Sequence, residues 1–225
     1  MKLRDPRLSF GQAISEFLIV ALVVLLPLMF GVLEFAQLSA ARNALNFAVF
    51  EAARAGSVSG GDIGMMHRAL ARGLVPLFAP IDLARVLASP GGSPGEASDA
   101  AVALGRATLE VLRPDVTHLV IENPRAAAFA DFAEIVDGRI AIPNDGLEFR
   151  NPYGASSGQT LRDANVLALR VTYCRQLFMP LIDRLIPAML RGFTVDPRTQ
   201  LCLAQRRLPI EAAAVVQMQS PMQRR

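Results

Sequence analysis

Tryptophan is absent from this 225-residue chain, and aromatic residues make up only 6% of it. That scarcity argues against a platform for stacking sugar rings. Histidine occurs only at His67 and His118. Neither has a Cys, Asp or His neighbour at metal-ligand spacing, so both read as surface or hydrogen-bonded residues, and no metal or cofactor is expected. Asp131, Glu134 and Asp137 recur at three-residue steps but lack the glycine pattern of a calcium loop, and they read as one solvated helix face. The polar stretch 145–165 holds Glu148, Asp163 and Asn165 without a nucleophile–base grouping. Ser156 and Ser157 precede Gly158 with no nucleophile elbow. Segment 89–95 (Ser-Pro-Gly-Gly-Ser-Pro-Gly) is too proline-rich for a phosphate cradle, lacks the Lys-Ser/Thr ending, and reads as a flexible loop. Together these absences point away from an enzyme.

Charge excess is also missing once its location is considered. The formal net charge is +3, yet residues 1–11 hold Lys2, Arg4 and Arg7 against Asp5; the remainder carries 20 basic residues and 19 acidic ones. No basic face is left to suggest a nucleic-acid partner. The leader bases instead precede an apolar run that opens at Phe17, contains Pro27, and ends at Leu33 before Glu34. As a helix this run spans roughly 25 Å, and with Ala13, Ile14, Phe35 and Ala36 it reaches the ~30 Å of a bilayer core. Basic residues hold the near side in the cytoplasm, so the bulk of the chain is expected outside a bacterial inner membrane, in the periplasm. Two plainer readings stand beside this one. A simple signal anchor shares the pattern, and a cleaved secretory signal would use Leu38-Ser39-Ala40-Ala41 as its small-residue site.

Helical periodicity continues past the apolar run. Leu38, Ala41, Leu45, Ala48 and Ala52 recur at three- and four-residue steps with Val49 beside them. Glu34, Gln37, Arg42, Asn43, Asn46, Glu51 and Arg54 are the polar positions. One helix of about 45 residues, roughly 65–70 Å, is expected over residues 12–57, with 17–33 in lipid and 34–57 projecting. Gly56 and Ser57 read as its stop. Pro27 removes one helical hydrogen bond and is expected to bend or loosen the membrane half; Gly31 has no small residue four positions away and makes no packing motif.

Residues 58–225 form the expected external domain. A Gly/Ser turn precedes a helix over about 62–77, with Met66, Leu70, Leu74 and Val75 inward and Pro76 and Pro80 near its end. A third helix, about 98–112, turns Leu104, Thr108, Val111 and Leu112 to one side. The period then becomes two: short strands at 117–122 and 139–142, a clear one at 166–174 with Leu167, Leu169, Val171 and Tyr173 on its apolar face, and a last one at 210–218. The fold class predicted is α+β, a long N-terminal membrane-spanning helix on a small, mostly antiparallel sheet, with extra helices.

Cys174 ends one strand and Cys202 precedes another. In an oxidising compartment a lone pair reads more readily as a disulfide than as a metal site, with two unrelated buried thiols as the alternative. If the strands pair antiparallel, both cysteines fall at one end of the sheet. Between them, paired apolar residues over 177–190 repeat every four positions, with Pro180 near the start, Pro187 in the last turn, and Asp183, Arg184 and Arg191 opposed. The favoured reading is a helix covering the sheet; the other is a helix lying on the outer leaflet or docking onto another assembly component.

Glu16, a carboxylate at the mouth of a membrane segment, needs a reason. Gly11, four residues, Glu16 and then an apolar helix resembles the processing site of type IV prepilins. In that family a membrane peptidase cuts after the glycine, and the glutamate faces the freed amino group of a neighbouring subunit. The resemblance implies a cut between Gly11 and Gln12, with Glu16 as partner of a Gln12 ammonium. Gly11-Gln12-Ala13-Ile14-Ser15-Glu16-Phe17, the central Pro27, Phe30-Gly31-Val32-Leu33-Glu34-Phe35, Ala41-Arg42-Asn43-Ala44-Leu45 and Glu51-Ala52-Ala53-Arg54-Ala55-Gly56 resemble the TadE-like proteins of tight-adherence (Flp) pilus systems. A fainter likeness returns at 166–174 and 209–221. It implies a pilin-like fold and a minor pilin-like (pseudopilin) component of pilus assembly. The implied partners are the prepilin peptidase, other pilins and pseudopilins, and inner-membrane assembly proteins. The competing readings are an unprocessed, signal-anchored periplasmic scaffold and a tethered enzyme or binding protein.

Overall fold

The structure, a computed structural model, describes residues 9–79, 94–178 and 182–224, with side chains from residue 14 in the first segment and from residue 98 in the second. The leader bases, Pro80, most of the 89–95 loop and Pro180 lie outside the described residues.

A long helical run begins with α1 (Ser9–Val20), passes through one π-helical turn (Ala21–Leu25) and continues as α2 (Leu26–Val58). The π turn has a local cause. Pro27 has no N–H, and its ring crowds the carbonyl four residues earlier, so the turn before it widens rather than breaks. The stop expected at Gly56 and Ser57 lies inside α2, which ends at Val58 with Ser59 as its C-cap. Gly56 is a packing residue: a Cβ there would come within 2.7 Å of Met66 Sδ. The turn falls instead at Gly60 and Gly61, with φ of +67° and +80°, a region open to glycine at no steric cost.

Helix α3 (Ile63–Phe78) returns along α2. Asp62 caps it, its carboxylate accepting from the Met65 N–H at 3.0 Å. Met66, Leu70 and Leu74 are fully buried as expected, while Val75 is half-buried. The two helices touch most closely at Gly73, where a Cβ would lie 2.5 Å from Ala48 Cα.

The next helix, α4 (Pro94–Leu112), starts before Ser98 and departs from expectation in its inward face. Val111 is buried as expected and Thr108 is half-buried, but Ala103 and Ala107 complete the inward row, whereas Leu104 and Leu112 are exposed. The i, i+4, i+8 row of small residues allows close approach to the core, and the larger leucines fall to the side.

Strand β1 (Thr117–Asn123) leads to α5 (Ala126–Phe132), the hairpin β2 (Glu134–Val136) and β3 (Arg139–Ile142), and a short α6 (Leu161–Ala164). Strand β4 (Val166–Gln176) follows, then α7 (Ile182–Arg191), α8 (Pro197–Ala204), β5 (Arg207–Gln217) and β6 (Met222–Gln223). Two antiparallel sheets result, ordered β1-β4-β5 and β2-β3-β6. The main sheet turns Leu169, Val171 and Tyr173 of β4 and Ile210, Ala212 and Ala214 of β5 into one core with Ala41, Leu45, Ala48, Val49 and Ala52 of α2. Each fully buried leucine there, such as Leu45 or Leu169, contributes about 1.5–3 kcal/mol by leaving water. The fold is therefore α+β, a long apolar N-terminal helix packed on small antiparallel sheets with extra helices.

The direction of α2 along the sheet fixes the two ends of the domain. At its C-terminal end, the Ser57 carbonyl accepts from the N–H groups of Gln219 and Ser220 at 3.0 and 3.1 Å. At the other end, where the apolar run stops, Glu34 accepts from the Phe178 N–H. The register Gln176↔Arg207 closes the sheet at that same end.

Candidate functional site

The motif carrying the prepilin resemblance lies in α1. Gly11 and Gln12 are in helical backbone, and their side chains lie outside the described residues. Glu16 and Phe17 are exposed, and Glu16 stands one helical turn beyond Gln12 on the same face. From Ile14 through Leu33 almost every large apolar side chain projects into open space. Helix Ile14–Val58 is long and apolar enough to cross a membrane, and its most apolar window touches nothing else in the protein. Pro27 sits in the first turn of α2, and Leu33 is the last apolar residue before Glu34.

Glu34 marks the change of surroundings. It reads in sequence as one of the polar positions of the projecting half, yet it is only 5% exposed. The Phe178 N–H donates to both its carboxylate oxygens at 3.3 Å. Arg175 is buried beside it, with its guanidinium 5.5 Å above the Phe178 ring. Burial pulls the Arg175 pKa below its ordinary value, and the negative charge of Glu34 opposes that pull. An acid leaving the apolar run is thus held against the end of β4 by a charge-assisted hydrogen bond and a nearby cation. The signal was available: Glu34 is in phase with Leu38, Ala41 and Leu45, the side of α2 that turns inward.

Three further contacts secure this end. Cys174 at the end of β4 and Cys202 in α8 form a disulfide, with Cα atoms 5.3 Å apart. Arg207 pairs with Glu110 at 2.7 Å, both side chains mostly shielded from solvent, and donates to the Cys174 carbonyl at 3.1 Å. Burial pushes the Tyr173 phenol up to about 12, and the Glu110 carboxylate adds to the rise. Glu110, Arg175 and Arg207 carried no signal in the sequence, because what joins them is the pairing of distant strands.

The segment between the cysteines does not do what its pattern favours. A helix covering the sheet is overturned: in α7 only Pro187 is buried, and Leu185 and Met189 are exposed. The side of α7 that meets the domain carries half-buried Ile182 and Ile186 and buried Pro187, and the Arg191 guanidinium donates to the Leu203 carbonyl at 2.6 Å. The apolar face of the main sheet is already filled by α2.

At the opposite end, the three acids expected on one helix face are separated. Asp131 lies in α5, Glu134 in β2, and Asp137 in the hairpin turn with φ of +51°. Residues 131–137 change from helix to strand, so the three-residue step has no helical meaning there. Asp131 accepts the Ser156 and Ser157 N–H groups at 3.1 and 2.7 Å, and the Ser157 side chain together with these N–H groups holds its carboxyl below the usual range. Thr160 and Asp163 form a capping box on α6, and buried Asn165 donates to the carbonyls of Pro143 and Leu161. These polar groups fasten a loop. Among the described residues no three His, Cys, Asp or Glu side chains gather as a metal site. Burial lowers the pKa of both His67 and His118.

The family model of TadE-like proteins matches residues 11–54. No curated protein and no solved structure matches the chain. The match opens at Gly11 and ends at Arg54 in the buried half of α2, so it covers the motif, the apolar run and the start of the external core. On that segment the chain is similar to TadE-like proteins.

Proposed function

We propose that this chain is a minor pilin-like subunit of a tight-adherence pilus machine, anchored in a bacterial inner membrane by residues 17–33, with residues 58–225 in the periplasm. In this reading a prepilin peptidase severs the bond between Gly11 and Gln12. The apolar helix then leaves the bilayer for a helical bundle of pilins and pseudopilins at the inner-membrane assembly platform. Glu16 neutralises the new Gln12 ammonium of a neighbour, in a medium where an unpaired charge is expensive. The observation that carries the reading is the TadE-like match beginning at Gly11 directly ahead of a bare apolar helix. A protein of this size, with a core of its own around α2, suits an accessory subunit better than a fibre's bulk subunit, which needs little more than the helix.

Co-expression with a prepilin peptidase tests the proposal. The wild-type chain shortens by its first eleven residues, and Gly11→Trp does not. In cells with the pilus system, loss of this chain removes surface fibres, and Gly11→Trp fails to restore them. Equal lengths for both proteins and normal fibres with Gly11→Trp would leave an unprocessed anchored scaffold, a reading favoured by the unbroken helix across residues 11 and 12.

A further inference from the structure

Helix α7 is apolar on the side turned to the domain and carries further apolar residues on the side turned away from it. A helix on the surface of a soluble domain turns its apolar stripe to the core and its charges to water. Here half-buried Ile182 and Ile186 and buried Pro187 already fill the side facing the domain, with Arg191 donating to the Leu203 carbonyl, yet apolar residues remain outside. Leu185 is 58% exposed and Met189 60%. The apolar surface continues along the chain to Phe178 before the helix and Phe193 after it, 68% and 85% exposed.

The position of this surface follows from contacts at the foot of α2. Phe178 is hydrogen-bonded to Glu34, the first charged residue after the apolar run. The disulfide from Cys174 to Cys202 and the Arg191 contact with Leu203 hold α8 and α7 at that same end of the sheet. The opposite end lies 23 residues further along α2, at Ser57, a helical distance of about 35 Å. The exposed apolar side chains are therefore gathered at the level where the chain's own apolar helix emerges.

We infer that α7, with Phe178 and Phe193 flanking it, lies in the headgroup layer of the membrane that residues 17–33 cross. The apolar face sinks to the acyl boundary, ~5–10 Å deep for interfacial helices of this kind. The inference rests on the reading of residues 17–33 as a membrane span. Continuity with that span selects lipid over a protein partner: a residue fixed to Glu34 meets the bilayer surface whenever the helix is inserted. Arg184 is exposed beside the apolar face, positioned for lipid phosphate, and Arg side chains at such depth extend their charge toward water. The domain is consequently held upright by two attachments, one spanning and one lying flat.

The absence of tryptophan makes each introduced Trp a unique reporter. Full-length protein carrying Leu185→Trp, Phe193→Trp, Leu22→Trp or Ile135→Trp is reconstituted into phosphatidylethanolamine–phosphatidylglycerol vesicles containing lipids brominated at shallow or deep acyl positions. All four sites are exposed, and unchanged melting of the domain verifies folding. Emission from Leu185→Trp and Phe193→Trp should shift to the blue, with quenching by shallow bromines several-fold stronger than for Ile135→Trp at the far end. Leu22→Trp should be quenched best by deep bromines. Deep quenching of Leu22→Trp without quenching at 185 and 193 overturns the inference and leaves the span intact. A blue shift at 185 and 193 without bromine quenching assigns the face to a protein and also overturns it. Failure to quench Leu22→Trp removes the span itself, and the inference with it.

Discussion

The two halves of the long helix share one backbone and differ in what touches them. From Ile14 to Leu33 almost all large apolar side chains are exposed and none is buried. From Ala41 to Ser57 one stripe is sealed completely, with Ala41, Leu45, Ala48, Val49 and Ala52 each at 0% exposure, while Arg42, Asn43 and Asn46 face water. An all-round apolar helix asks for an apolar solvent, and a striped one asks for a folded partner. Glu34 is the boundary: the first charge after the run, and a carboxylate bound to the domain rather than to water. The helix is thus a single rod built for two environments, and most of the external domain exists on the terms set by its second half.

That division is most open to attack in the core. Leu45→Ala should lower the unfolding free energy of the detergent-solubilised domain by about 2–5 kcal/mol, read from denaturant midpoints. Leu22→Ala in the bare half should leave the same midpoint unmoved. Equal effects from both would erase the contrast between the halves. Breaking the Cys174–Cys202 bridge with the double substitution Cys174→Ala and Cys202→Ala should cost roughly 3–4 kcal/mol on the chain-entropy account. The loss should centre on α7 and α8, seen as faster amide exchange there than in α3. Gly73→Val sharpens the claim of close helix contact. With Ala48 2.5 Å from a Cβ, overpacking should destabilise by ~1–3 kcal/mol, whereas Gly31→Val, which meets nothing within 4 Å, should not.

Smaller is the effect at the boundary itself. Glu34→Gln keeps an oxygen for the Phe178 N–H and deletes the charge beside Arg175, so a charge-assisted bond becomes a neutral one. A loss of about 1 kcal/mol is expected, with the Phe178 amide exchanging faster. The slightest change is at the far end. The Asp131 carboxyl is held below its ordinary value by the Ser157 side chain and by the Ser157 and Ser156 N–H groups. The stability it contributes is present above the unfolded carboxylate value of about 3.9 and is lost as pH falls through the lower folded value. Acid titration by NMR should release the Ser156 and Ser157 amides below about pH 4 and leave the buried stripe of α2 unaffected.

The sequence made the periodic elements legible because burial and period are the same fact. Leu38 to Ala52 at helical steps, and Leu167 to Tyr173 at steps of two, point to the faces that the structure fills. The cysteine pair was legible for a topological reason: antiparallel strands bring Cys174 and Cys202 to one end. What escaped was decided by competition for space. Helix α4 turns Ala107 rather than Leu104 inward because a neighbouring helix lies close. Helix α7 finds the apolar sheet face already taken by α2, and no local pattern states which element takes it. Asp131 and Asp137 fell into a helical spacing by accident of a chain that was changing from helix to hairpin. The processing motif at Gly11, Gln12, Glu16 and Phe17 was legible only by resemblance, since its chemistry belongs to a peptidase and a neighbour that act from outside the chain.

The central claim is that residues 1–11 are removed to expose an amine for Glu16 to meet. Intact-mass and N-terminal sequencing of the protein from the membranes of its own cells tests it most directly. A chain beginning at Gln12 is the result predicted; one that still begins at Met1 would contradict the account.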